Sequence, residues 1–354
     1  MSQDIAFLER LLDAAAPSGF EERAASVWRE EAAHFAPVWS DVVGNSYASV
    51  GKGRRPLALM AGHVDEIGLQ VTHLDEKGLL YFGTVGGWDP QVLVGQRVRL
   101  MTRKADVQGV IGRKAIHLID PKDRDKVTKV KELWIDVGAS SREELGELGI
   151  RVGDPGVLEQ PAVRLSGGRL ASRAIDNRVG AFVVLEALRI LADADPTAGA
   201  VAVATTQEEI GFSGGGARSS AFSEAPDLAL VVDVTHATDV PDVDKKEVGE
   251  HSLGGGPVLT RGSVTHPALF ERLAQVAEAE QIPYTVQAAP LRTSTDADAI
   301  HLVRGGIPTA LVSIPNRYMH SPSEVVAISD LFDTARLLAA FVVSLGEDED
   351  FLRA

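Results

Sequence analysis

The stretch GAVAVATTQEE, residues 199–209, decides the fold. Its first seven residues are small or apolar throughout, which reads as a strand buried on both faces, not a surface strand with one wet side. Two adjacent acids, Glu208 and Glu209, stand at its carboxyl end. Working outward, Val179, Phe182, Val183, Ala187, Ile190 and Leu191 fall on one face of a helix that precedes it. Downstream, residues 228–232 and 309–314 repeat the buried-strand pattern, and residues 267–280 and 329–345 read as helices. Continuous apolar strands alternating with helices imply a sheet covered on both sides.

The N-terminal part fits the same pattern. Residues 5–12 have helical spacing, Pro17-Ser18-Gly19 stops that helix, residues 21–34 form a second, and residues 57–61 read as another buried strand. Between residues 68 and 164 the rhythm changes. Short β-rich runs at 69–74, 96–102 and 106–111 are separated by glycines and turns, the signature of a small all-β module. No internal repeat and no low-complexity linker marks a tandem boundary. The expected fold is therefore α/β: a mixed sheet covered by helices, formed by residues 1–67 and 165–354, with a small β-barrel-like domain inserted at 68–164. Residues 347–354 read as a loose tail.

The chain has 354 residues, 45% of them hydrophobic, which suffices for a sizeable core. It carries 35 basic and 50 acidic side chains, a formal net charge of −15. That balance disfavours nucleic acid and anionic membranes as partners. With no cysteine, disulfides, thiolate metal sites and a cysteine nucleophile are all excluded. Residues 1–15 include Asp4 and Glu9 and lack the basic and apolar regions of a signal peptide. No apolar run reaches the length that spans a bilayer. A cytoplasmic location is expected.

The residues able to do chemistry gather at one level of the predicted sheet. His63 and Asp65 follow the 57–61 strand, and positions i and i+2 of an extended segment point the same way. One can ligate while the other orients it. Asp176 opens the helix near Asn177; alone it reads as an N-cap. Glu208 and Glu209 repel one another unless a metal or a shared proton relieves them. Asp233 ends the 228–232 strand, and His320 lies beyond 309–314. Gly211 and Gly214, Gly215 and Gly216 read as the turn into a helix, because no Gly-Lys-Ser/Thr of a phosphate loop follows. Singly each residue is unremarkable. Together they collect where open α/β sheets place their ligand sites, outside the carboxyl ends of the strands. Two His and three acids offer hard nitrogen and oxygen donors suited to Zn²⁺, Co²⁺ or Mn²⁺. Five ligands exceed the need of one tetrahedral zinc and suit a pair sharing a carboxylate, which leaves Glu208 free as a base.

At this point the chain resembles the tetrahedral aminopeptidases, the dinuclear metallo-aminopeptidases of the deblocking and glutamyl type. The resemblance rests on Ala61-Gly62-His63-Val64-Asp65-Glu66-Ile67-Gly68, Ile175-Asp176-Asn177-Arg178-Val179-Gly180 and Gln207-Glu208-Glu209-Ile210-Gly211. Asp233-Val234-Thr235-His236-Ala237 and Tyr318-Met319-His320-Ser321-Pro322 complete it, in the family's order. It implies that Asp176 bridges two divalent metals, Zn or Co, with His63 and Asp233 on one and Glu209 and His320 on the other. It implies Glu208 as general base, Asp65 as the support of His63, and a cis bond between Asp176 and Asn177. The fold implied is a zinc-peptidase-like catalytic domain with a β-domain inserted for dimerisation. The partners implied are peptides with a free N-terminus and further copies of the chain, in a hollow dodecamer built from dimers. Two segments depart from the family pattern: Ser294-Thr295-Asp296-Ala297, where Gly-Thr-Asp-Ala is frequent, and Asn316, where Thr is usual. Both bear on substrate preference, not on the ligands.

Three other functions compete. A related amidohydrolase acting on N-acyl amino acids would share nearly the same site. A glycosidase using Glu208 and a second carboxylate leaves His63 and His320 unexplained. A non-enzymatic assembly protein has no use for an intact ligand set and a spare base.

Overall fold

In the computed structural model, which describes residues 5–211, 214–347, 349 and 351, the strand Gly199–Thr205 is buried along its whole length. It lies between the antiparallel strand Ser46–Val50 and the parallel strand Leu57–His63. Leu228–His236 and Thr309–Asn316 continue the parallel run. Val258–Gly262, antiparallel to the latter, and Thr285–Ala289 finish one edge, and Val38–Ser40 finishes the other. The result is an eight-stranded mixed sheet.

Helix Ile175–Ala194 covers one face, packed with Ala6–Asp13, Glu22–Ala32, Pro267–Ala279 and Ile328–Val343 around a single apolar cluster. Helices Gly215–Glu224 and Asp296–Ile300 cover the other. Gly62 shows how tightly the first layer sits. A Cβ there would lie 2.5 Å from the carbonyl carbon of Gly180, so glycine is what lets strand Leu57–His63 touch the helix that carries Asp176. Among the described residues no helix is long and apolar enough to cross a membrane.

Six strands close the inserted barrel in the order Gly68–Leu74, Leu79–Val85, Leu133–Asp136, Asp106–Arg113, Arg97–Met101 and Pro155–Leu158, the last pairing back to the first. Closure removes the exposed edges that such short strands would otherwise present, and the barrel encloses its own apolar cluster.

Several sequence boundaries shift. The strand after the barrel, Val163–Leu165, pairs with Arg169–Ser172, which in turn pairs with Glu324–Ala327; it joins that three-stranded sheet and not the barrel. His63 is the last residue of its strand and Asp233 lies inside its own, because the parallel ladder continues past the apolar residues that signalled it. Ile190 does not share the buried face of its helix and is 40% exposed. Asp176 and Asn177 fall inside the helix assignment but have non-helical backbone angles, and Asp176 does not act as an N-cap. Of the tail, residues 348, 350 and 352–354 lie outside the described residues, as does Asp4.

Candidate metal centre

Parallel pairing aligns the site. Thr205 stands opposite His63, and Ala61 opposite Val231, which brings Asp233 level with His63 two residues further on. The loop after Thr205 then carries Glu208 and Glu209 over the same end. Asp176 enters from the helix, joined to Asn177 by a cis peptide bond. The Asn177 side chain ties this turn down, donating to the Val232 carbonyl at 2.7 Å and accepting from Gly180 N at 3.0 Å.

The two oxygens of Asp176 face different histidines. Its Oδ1 is 3.2 Å from His63 Nε2, and its Oδ2 is 3.3 Å from His320 Nε2. Asp233 Oδ1 lies 3.9 Å from His63 Nε2, and Glu209 Oε2 lies 3.4 Å from His320 Nε2. Glu208 Oε2 stands 3.8 Å from His63 Nε2. His63, Asp176 and Glu209 each bring a ligand-type atom within 4.8 Å of the others. Asp176, Glu208, Glu209, Asp233 and His320 line one open cavity of about 1190 Å³, together with Asp296.

So many acids in one buried place disturb one another. Burial pushes the Glu208 carboxyl up to about 10, with the charges of Asp233, Asp296 and Glu209 adding to the effect and His63 opposing it. Burial and the Asp176 charge bring Glu209 to about 7. Burial also lifts Asp233 well above the usual carboxylate range. Asp176 goes the other way: burial opposes its ionisation, yet hydrogen bonds from His320 and His63 hold it below that range. Its own bond to Asp176, with one to Glu209, raises His320 to about 11. For His63, burial disfavours the charged ring, and Asp176 and Asp65 overcome it. The cluster demands positive charge, supplied by protons or by a cation. The donor set suits a cation, being nitrogen and oxygen only. Glu209 Oε1, buried with no hydrogen-bond partner, is an acceptor waiting for one.

Asp65 does more than the sequence suggests. Its contacts with the His63 ring are long, 3.4 Å to its Oδ1 and 3.3 Å to its carbonyl. Its carboxylate also receives Glu208 N at 3.2 Å and Glu209 N at 3.1 Å. Glu21 Oε1 takes the preceding Gln207 N at 3.2 Å. Two carboxylates thus hold three successive backbone N–H groups of the loop that carries Glu208.

Four supports escaped the sequence reading. Glu324 accepts backbone N–H groups from Asp176 and His320. The Gly87 carbonyl, on the barrel, lies 2.8 Å from His320 Nδ1. Glu21 is the third. The fourth is Glu66, buried against Arg173 and Arg178, with Arg178 also donating to the carbonyls of Val64, Leu11, Leu12 and Ala14.

The sequence profile of the M42 glutamyl aminopeptidase family matches residues 44–337, most of the chain. The chain belongs to the M42 aminopeptidase family. Among relatives of this M42 aminopeptidase, the lysyl aminopeptidase of Pyrococcus furiosus is 38% identical over 306 residues, 86% of each chain. The TET aminopeptidase of the marine-sediment archaeon Thaumarchaeota archaeon SCGC AB-539-E09 is 35% identical, covers 96% of both chains, and superposes with a TM-score of 0.92. The TET1 peptidase of Pyrococcus horikoshii, which can assemble into a tetrahedron or a large octahedral shell, is 29% identical over 96% of this chain and 99% of its own, with a TM-score of 0.85. The protein is therefore a peptide hydrolase of the aminopeptidase type, and peptidases of this family are metallopeptidases. The resemblance, the fold class and the aminopeptidase reading all stand, and the amidohydrolase and glycosidase readings are not favoured.

Proposed function

We propose that this aminopeptidase works with two divalent ions, Zn²⁺ or Co²⁺. His63 and Asp233 would hold one, Glu209 and His320 would hold the other, and Asp176 would serve both. The observation that carries the reading is the opposed aim of the Asp176 oxygens, one toward each histidine. When bound, such a pair lowers the pKa of a water and polarises the scissile carbonyl. Glu208 is the general base. It sits beside the cluster, its Oε2 3.8 Å from His63 Nε2, and its carboxylate would take the proton of the attacking water and return it to the leaving amine. Asp65 and Glu21 keep it in place by gripping the backbone of its loop. The free α-amino group of the substrate meets the surrounding carboxylates, which restricts cleavage to chain ends.

Chelation should abolish hydrolysis of an aminoacyl anilide, and Zn²⁺ or Co²⁺ should restore it. Glu208→Gln should retain the metal and lose roughly 10²–10⁴ in rate. Full activity in demonstrably metal-free protein, or in that variant, would sink the mechanism.

The chain further acts, in this proposal, as a cytoplasmic homo-oligomer, a dodecamer built from dimers, with the insert at residues 68–164, which holds the barrel, as assembly domain and residues 1–67 and 165–354 as catalytic domain. The TET1 relative's shells and the exposed Ile116, Leu118 and Val127 on the insert support this. Light scattering at low concentration is the check; a stable, fully active monomer contradicts it. Ser294, Thr295 and Asp296 line the cavity, so the first departure from the family pattern sits where it can tune substrate preference.

A further inference from the structure

Glu324 opens the strand Glu324–Ala327, opposite Ser172, and is 2% exposed. Its side chain joins two backbones, one 148 residues earlier in the chain and one four residues earlier. Oε2 receives Asp176 N at 3.0 Å, and Oε1 receives His320 N at 2.8 Å. The side chains of those two residues then meet at 3.3 Å, His320 Nε2 to Asp176 Oδ2.

Both backbones need an external acceptor. Asp176 is non-helical where the helix begins, so its N–H is placed outside the ordinary helical ladder. His320 and Tyr318 hold φ values of +58° and +63°, a left-handed conformation uncommon for such residues. A buried N–H left without an acceptor costs on the order of 1–3 kcal/mol. A hydroxyl could satisfy one of them. A carboxylate, a rigid plane with an acceptor at each corner, satisfies both and fixes one backbone relative to the other.

We propose that Glu324 is a positioning residue that sets the separation of Asp176 and His320, and through it the geometry of the second metal position. The proposal rests on the two-metal reading above. Glu324 touches neither substrate nor the reacting atoms; it acts on the main chain of the residues that face the ion. Two substitutions dissect it. Glu324→Gln keeps the shape but offers one acceptor oxygen and turns an NH₂ group toward an N–H donor, so one grip is lost. Glu324→Asp keeps both oxygens but withdraws them by one methylene, about 1.5 Å along the chain.

The test titrates metal-free protein with Zn²⁺ by calorimetry, follows thermal unfolding without metal, and measures kcat and KM on an aminoacyl anilide. Both variants should bind the weaker-held ion roughly 10–100-fold less tightly, the penalty usual for losing a group that orients a ligand. The kcat should fall with KM little changed, and the metal-free Glu324→Asp protein should unfold near the wild-type temperature. Wild-type zinc affinity and kcat in both variants would overturn the proposal. So would a lowered unfolding temperature accompanied by wild-type affinity in the folded fraction, since that marks a purely structural role. Wild-type protein that is active without metal would instead overturn the two-metal reading, which keeps the two failures distinct.

Discussion

The two histidine sides of the candidate metal centre are built in different ways. His63 ends a central strand, in register with Thr205, and its side chain is 1% exposed. Asp233 comes from the neighbouring parallel strand. That half is a property of the sheet: once the strands pair, both side chains are placed. His320 stands in a loop with two residues in left-handed conformation, and its side chain is 35% exposed. It owes its position to Glu324 behind its backbone and to Gly87, on the barrel, in front of its ring. That half is assembled from segments far apart in the chain, residues 318–324 and the loop at Gly87. Sheet-borne groups share the stability of the core, whereas loop-borne groups move with whatever holds the loop.

Removing each histidine in turn should give the largest contrast. His63→Ala opens a hole in the buried sheet end and deprives Asp65 of its ring neighbour. It should lose both ions and lower the unfolding temperature of the metal-free protein by on the order of 5 °C or more. His320→Ala removes a half-exposed ring and should keep one ion and a near wild-type unfolding temperature. Both variants should be almost inactive, so the informative readouts are metal stoichiometry and unfolding without metal. Equal metal loss and equal destabilisation would show that the halves are not built differently after all.

The same difference decides what could be read from the sequence. His63, Glu208, Glu209 and Asp233 stand at the ends of apolar strands, and a buried strand announces itself through composition and length. Asp176 and His320 gave fainter signals: Asp176 alone reads as an N-cap, and His320 lies several residues beyond the strand that points to it. The barrel was legible as a β-rich interruption, but its closure at Leu158 was not. Val163–Leu165 has the same local character as a barrel strand, and only long-range pairing assigns it elsewhere. The supports of the His320 half were invisible for a related reason. Glu324 accepts the main-chain N–H of Asp176, 148 residues earlier, besides that of nearby His320, and the Gly87 carbonyl meets the His320 ring across 233 residues. Such bonds leave no spacing rule to find. Glu21 is similar: its link to Gln207 joins the second helix's entry to the catalytic loop.

A gentler substitution reaches the assembled half alone. Gly87 lies in the loop after the barrel strand Leu79–Val85, and that loop is tied to the start of the first barrel strand and to Ile67 just before it. Trp88 Nε1 donates to the Gly68 carbonyl at 3.0 Å, and Gly86, at φ +75°, leaves no room for a Cβ, which would fall 2.5 Å from Ile67 Cγ2. Gly87 itself is not left-handed, so alanine can take its backbone conformation without strain. The added Cβ would come 3.2 Å from His320 Nδ1. That is tighter than ordinary contact, so the ring must yield by a few tenths of an ångström while its bond to the Gly87 carbonyl survives. Losing a ligand's orienting partner outright costs roughly 10–100-fold, so crowding one should cost less than about tenfold in kcat/KM. The zinc isotherm should weaken only for the ion on the His320 side, and unfolding without metal should be unchanged. Undiminished kcat/KM in Gly87→Ala would mean that the barrel does not position His320. Equal weakening of both ions would mean that the barrel reaches the His63 half as well, and the contrast between a sheet-built and an assembled half would have to be abandoned.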